Sequence, residues 1–360
     1  MKTTIKTVAL TLVALLMMDI GVAFFLGWAK DNGRLGALTR YFDLGLSVPA
    51  KIDAWAGGSV LNGNLYRVAW TETILRQSEE KFAAQSDDDR TIIREFGMSF
   101  TRNIVEKAVE IDESLVVDLH GGPAAPANHA YTLFKDDREN RNPGDIVVFG
   151  VLSSSISKLA AMSNRTWAFE QPAPFTYPIY YPEGDGLRRI DPLVGSVEQE
   201  ADLTPGMKRA WMDQLAYYDM FYSPFLFEGR ALDRSPFARL VRRAISVRVL
   251  RRSEQKIMEK GGYPTVEVLR RMFVDIKNTA LADGQVAVVV LIQTNDATDI
   301  DLRAELAPVL RDVGLPYIAT ADYFDPRDSS GFRDGGHYLG RIDAVFGQAL
   351  LDKIADIESK

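Results

Sequence analysis

Two short motifs far apart in the chain carry residues that can do acyl-transfer chemistry together. One is Gly97-Met98-Ser99-Phe100-Thr101; the other is Asp334-Gly335-Gly336-His337. A serine hydroxyl is a poor nucleophile until an imidazole removes its proton, and that imidazole needs a carboxylate to fix its tautomer and stabilise the imidazolium. Asp334 and His337, three apart on a Gly-containing turn, supply both, so the triad expected is Ser99, His337 and Asp334. The chain has three histidines, at 120, 129 and 337, and no cysteine, which removes thiol nucleophiles, thiolate metal sites and disulfides. No two histidines have i, i+4 ligand spacing, and no glycine run has a phosphate-loop or dinucleotide pattern, so neither a metal nor a cofactor is expected.

These residues need a scaffold that joins positions 99 and 337. From Arg90 onward, apolar strand-like runs alternate with helix-length segments, the signature of an α/β fold with a parallel sheet. The runs are Thr91 to Phe96, Leu115 to Leu119, Ile146 to Leu152, Val286 to Ile292 and Pro316 to Thr320. Such continuous runs suit a sheet covered on both faces. The stripes Phe100, Ile104, Ala108, Ile111 and Leu269, Met272, Phe273, Ile276, Ala280 have helical spacing and are read as core packing. Ser99 then falls on a strand-to-helix turn at the carboxyl edge of the sheet, where open α/β folds bind ligands and free helix N–H groups can receive an oxyanion.

Between the third and fourth runs lie about 130 residues, beyond any ordinary crossover, which predicts an insertion at about 160–264. Its aromatic stretches Gln171 to Pro182 and Tyr217 to Tyr222 are either faces for sugar rings and acyl groups or the core of a lid. Arg239, Arg242, Arg243, Arg248, Arg251 and Arg252, spread around one helix, are read as a solvated face; the alternative is a patch for an anionic polymer or a membrane surface. His129 is expected to face outward on the helix after Gly122, His120 either to be structural or to line the cleft beside Gly121, and Asn295 to be a turn and helix-entry residue.

The run from Thr7 to Ala29 is long enough to cross a bilayer and ends in bulky residues rather than a cleavage site, so residues 1–30 are read as an uncleaved anchor. Asp19, inside the run, is read as a single tolerated charge rather than a helix partner. Lys2 and Lys6 precede the run and Lys30 and Arg34 follow it; the body is taken as exported, on the periplasmic or extracellular side. Residues 31–89, with a helix expected from Leu65 to Ala84, form a juxtamembrane stalk, and 90–360 the main domain. A net charge of −7 excludes a nucleic-acid binder held by phosphate neutralisation.

With these motifs in place, residues 90–155 and 283–357 resemble the SGNH/GDSL hydrolase family. The resemblance implies a flavodoxin-like three-layer α/β sandwich with a five-stranded parallel sheet. Its first block places the nucleophile at Ser99, and its last is the Asp334 to His337 pair. Its second block, Asp118-Leu119-His120-Gly121-Gly122, contributes the Gly122 N–H to an oxyanion hole shared with the Ser99 N–H. The sequence departs from the family twice. Met98 stands where an aspartate is usual, and the third block, Phe149 to Ser155, lacks its asparagine; Ser154 is the candidate substitute. The triad points to ester chemistry, and export, the aromatic insertion and the resemblance together point to a membrane-anchored esterase acting on O-acyl, chiefly acetyl, groups of a cell-surface polysaccharide, with an envelope polysaccharide assembly complex as a partner. An O-acyltransferase using the same triad and a catalytically silent glycan-binding or polysaccharide-assembly protein of this fold are the rival readings.

Overall fold

The computed structural model describes residues 2–34, 45–55, 69–83, 90–122, 125–228, 230–296, 298–333 and 336–359. Numbering α-helices of eight residues or more, the chain runs α1 (Lys2–Asp31), α2 (Val48–Trp55), α3 (Thr71–Ala83), β1 (Thr91–Phe96), α4 (Ser99–Ile111), β2 (Leu115–Leu119), α5 (Ala127–Asp136) and β3 (Ile146–Leu152). There follow β4 (Ile179–Glu183), β5 (Gly186–Ile190), α6 (Pro205–Tyr218), α7 (Pro236–Met258), α8 (Thr265–Ala282), β6 (Val286–Ile292), α9 (Leu302–Val313), β7 (Tyr317–Ala319) and α10 (Gly340–Glu358). Five strands form one parallel sheet in the order β2-β1-β3-β6-β7, and β4 and β5 make a separate antiparallel hairpin. The four longer strands of the sheet match the expected runs end to end, and β7 is the middle of the fifth.

Alternation along the strands builds two cores. Ile93, Ile146, Val148, Val288 and Val290 point to one face, where they meet Ile104, Val105 and Ala108 of α4 and Phe346 and Leu350 of α10. Phe96, Val147, Phe149, Val289 and Leu291 point to the other, against α5, α8 and α9. A parallel sheet needs this cover, because its strands carry apolar side chains on both sides. Helix α4 approaches especially closely: a Cβ added to Gly150 in β3 would lie 1.9 Å from Thr101 Oγ1, so only glycine fits beneath that first helical turn.

Residues 153–285 carry the β4–β5 hairpin and helices α6 to α8. Their aromatic rings are mostly core: Phe175, Tyr177, Tyr180 and Phe221 are buried in the same cluster as the sheet, whereas Tyr217 is 80% exposed. Ala69, Trp70 and Ile74, the latter at the start of α3, join that cluster too. The helix expected from Leu65 starts at Thr71, and residues 65–68 lie outside those described.

Helix α1 is long and apolar enough to cross a membrane over Thr4–Asp31. Asp19 differs from its expected role as an unpartnered charge. Its carboxylate accepts from Ser235 Oγ at 2.6 Å and from the Phe237 N–H at 3.0 Å, capping the start of α7. An apolar helix can hold a carboxylate when a neighbouring helix offers unsatisfied N–H groups.

Candidate active site

The β1-to-α4 connection is short. β1 ends at Phe96, Met98 is the N-cap in extended conformation, and Ser99 is the first helical residue. The first intrahelical bond runs from the Arg102 N–H to the Met98 carbonyl, so the preceding N–H groups of Ser99, Phe100 and Thr101 face the carboxyl edge of the sheet without helical partners. Met98 itself is buried and packs in the α4-side core.

The second motif arrives on a tight turn. Phe332 and Tyr338 pair as an isolated antiparallel bridge, and the Arg333 N–H donates to the His337 carbonyl at 2.8 Å. Gly336 sits at φ +83°, a conformation that a side chain would strain. This turn sets the imidazole against the nucleophile: His337 Nε2 lies 2.7 Å from Ser99 Oγ. Phe100 stacks on the ring, with centroids 4.4 Å apart and planes at 13°. Serine and histidine, 238 residues apart in the chain, are thus in proton-transfer contact at a helix N-terminus. Asp334 and Gly335 lie outside the described residues.

One link between the motifs has no counterpart among the expected residues. With its amide nitrogen toward Ser99, Asn103 donates to the Ser99 carbonyl at 3.1 Å and accepts from Arg333 Nη2 at 3.2 Å, tying α4 to the histidine turn. Only its place one turn after the serine could have flagged it.

The remaining expected residues divide. Gly121 packs on the nucleophile turn, since a Cβ there would lie 3.1 Å from the Gly97 carbonyl oxygen. Gly122 is buried, its Cα face filled by His129, whose Cε1 is 2.8 Å from where a Cβ would be. Ser154 is half-buried just beyond β3, with no side-chain hydrogen bond among the described residues. Its neighbour Ser153 is committed elsewhere: it donates to Asp299 Oδ2 at 2.8 Å and accepts from the Thr294 N–H at 3.0 Å, joining the ends of β3 and β6. Asn295 lies on the loop after β6 and lines a neighbouring cleft of about 690 Å³ with Gln293, Asp299, Tyr323 and Arg327; Ser99 and His337 do not line it.

Both other histidines are fully buried, which corrects the outward orientation expected for His129. Residues Ala127 to Phe134 of α5 are buried on every side, so that helix has no outward face over these turns. His129 Nε2 donates to the Ala69 carbonyl at 3.0 Å, and burial lowers its pKa to about 4, keeping it neutral. His120 stacks on Phe96 and, with Asp118 and Asp137, places three possible ligand atoms within 4.8 Å of one another. Arg94 already meets those oxygens, 3.0 Å from Asp118 and 3.6 Å from Asp137, and reaches Asp145 at 2.6 Å. Arg94 and His120 thus share the same carboxylates in a buried ion-pair cluster.

No protein-family model matches this chain, and no curated protein matches it.

Glu95, the last residue but one of β1, is the site's least anticipated group. It is fully buried, and neither carboxylate oxygen has a hydrogen-bond partner among the described residues. Oε1 lies 2.7 Å from the Cβ position of Gly97 and Oε2 2.9 Å from that of Gly121, so the carboxyl is wedged between the nucleophile turn and the following glycine loop. Burial pushes its pKa well above the ordinary value, against the smaller opposing pull of Arg102. A carboxyl with a raised folded pKa contributes its full stability below its unfolded pKa and loses it as pH rises through the folded one. Glu95→Gln should therefore gain stability relative to the parent above about pH 4.5, by up to about 1.4 kcal/mol per pH unit. Urea midpoints from pH 4 to 9 measure this; parallel curves for the two proteins would contradict the assignment.

Proposed function

We propose that this protein is an exported, membrane-anchored serine esterase of the SGNH/GDSL type, acting on O-acyl groups, acetyl first, of a cell-surface polysaccharide. The observation that carries the reading is the 2.7 Å contact between Ser99 Oγ and His337 Nε2 at the start of α4. Ser99 Oγ attacks the ester carbonyl carbon while its proton passes to His337 Nε2. Negative charge on the carbonyl oxygen is received by the Ser99 N–H and, across the glycine loop, by the Gly122 N–H, with Ser154 in the place of the family's asparagine. Collapse breaks the bond to the sugar oxygen, which takes the proton from the imidazolium. Water then repeats the sequence on the acyl-enzyme. Asp334 is assigned to orient His337 by its place in the Asp-x-x-His motif.

The carbohydrate half of the reading rests on the anchor and on the resemblance. The aromatic insertion lends it less than the sequence suggested, because most of its rings are core.

The test uses the full chain in detergent and a fluorophosphonate probe, which reacts with activated serines. The parent protein should label and hydrolyse p-nitrophenyl acetate, and Ser99→Ala should do neither. Labelling that persists unchanged in Ser99→Ala overturns the proposal, and a parent that neither labels nor turns over ester favours the silent glycan-binding reading. A parent that labels and moves acetyl to an added oligosaccharide faster than to water is the acyltransferase.

A further inference from the structure

The arginine cluster becomes informative once α7 is placed. In a chain of net charge −7, this one helix carries six arginines and a lysine against a single glutamate. Two of those arginines are committed to ion pairs, Arg242 with Asp233 in the interior and Arg243 with Glu170 nearer the surface. Arg248, Arg251 and Arg252 are exposed. At 3.6 residues per turn they share one side of α7 with Ala244, Ile245 and Val247, all exposed as well. The outward face of the helix is thus arginine and aliphatic with no acidic residue among these six. Phe225, Leu232 and Arg234, on the segment leading into α7, are exposed too.

The start of α7 is fastened to α1. Asp19 caps it, and Leu240 packs with Val22, Leu26 and Ala29. Before Asp19, α1 is bare, with Leu10, Leu12, Leu16 and Met17 exposed. From Thr4, where the apolar stretch begins, to Asp19 is a rise of roughly 23 Å, against a hydrocarbon core of roughly 30 Å. If α1 enters a bilayer, the junction with α7 cannot stand far out in water, because the bare part of α1 is too short to cross alone.

We propose that the outward face of α7, with the exposed Phe225, Leu232 and Arg234 that precede it, forms a membrane seat that lies on the leaflet α1 enters. Arg234, Arg248, Arg251 and Arg252 meet anionic lipid phosphates, while Ile245, Val247, Leu232 and Phe225 enter the headgroup layer. Long arginine side chains suit this position, since the stem lies along apolar surface and the guanidinium reaches the phosphates. The inference rests on the reading of α1 as a membrane helix and adds the orientation and lipid charge preference of the body.

Because the chain contains no cysteine, single labelled cysteines test both parts in the full-length protein. Leu12→Cys reports α1, Ile245→Cys reports the seat, and Leu281→Cys on α8, 73% exposed, is the control. Each carries an environment-sensitive fluorophore in phosphatidylcholine vesicles with or without phosphatidylglycerol, and a lipid-borne quencher reads contact. Expected are quenching at 12 in both vesicles, at 245 only with phosphatidylglycerol, and at 281 in neither. Arg248→Glu with Arg252→Glu should shift the seated-to-unseated ratio at 245 by roughly tenfold or more while leaving 12 unchanged. Quenching at 12 with none at 245 overturns the seat and leaves the anchor standing. No quenching at 12 removes both. Protection at 245 by a soluble anionic polysaccharide but not by anionic vesicles identifies a polymer site and overturns the proposal.

Discussion

Alanine at Ser99, at His337, or at both should lower ester turnover to one shared floor, roughly 10³- to 10⁶-fold below the parent. The 2.7 Å contact makes the two side chains a single device: the hydroxyl is not a useful nucleophile without the imidazole, and the imidazole has no proton to take without the hydroxyl. Their losses should therefore fail to multiply. What survives at the floor is whatever the N–H groups of the α4 terminus contribute by themselves. Ser99→Ala removes one half-buried oxygen, so its unfolding midpoint should barely move. His337→Ala also removes the ring stacked on Phe100, so its midpoint belongs beside its kcat. Losses that multiply in the double variant would mean that serine and histidine act separately, and the device would have to be abandoned.

The largest expected effect on stability is at Arg94. Its guanidinium is fully buried and donates to Asp145 at 2.6 Å and Asp118 at 3.0 Å, with Asp137 at 3.6 Å and the Asn140 carbonyl also in reach. Arg94→Met leaves three carboxylates in the interior with their principal cation gone, a change worth about 3–5 kcal/mol. The deficit should be greatest near neutral pH and shrink as the pH falls, because Asp118, already raised by burial, and Asp137 both lose the lowering pull of Arg94 and take up protons more readily. Breaking the exposed Lys107–Glu110 pair by Lys107→Ala should cost no more than about 1 kcal/mol, which supplies the contrast in the same urea titration. A loss at Arg94 no larger than the surface loss would show that the cluster is solvated. Where Arg94→Met remains folded, its ester turnover should be near that of the parent, since these partners lie across the sheet from α4.

Arg94 and Glu95 also show where the sequence stops being readable. The strand Thr91–Phe96 was found because its apolar residues end at a turn signal, and the other sheet strands likewise, since parallel strands covered on both faces carry few polar residues. Two consecutive charges inside that run changed nothing in the reading. Whether a charge in a strand is exposed or buried depends on partners elsewhere, here Asp118 and Asp145 for Arg94 and the glycines at 97 and 121 around Glu95. The serine and histidine motifs were legible because their chemistry demands particular residue types at turns. Asn103, which links them, has no such demand. His129 was misplaced for a related reason: helix periodicity assumes a wet side, and α5 has none over Ala127 to Phe134. Asp19 looked like a tolerated charge because its hydrogen-bond donors, Ser235 and Phe237, lie more than two hundred residues downstream.

That same distance has a consequence for how the protein is made. Synthesis proceeds from the amino end, so Ser99 leaves the ribosome 238 residues before His337. During that interval β1 can pair with β2 and then β3, but β6, β7 and the turn that carries the imidazole do not yet exist. The nascent chain thus holds an inert serine for most of its synthesis. On the esterase reading proposed above, the serine becomes reactive only when the final strands close the sheet and α10 docks, so a truncated or stalled chain would carry no hydrolytic activity.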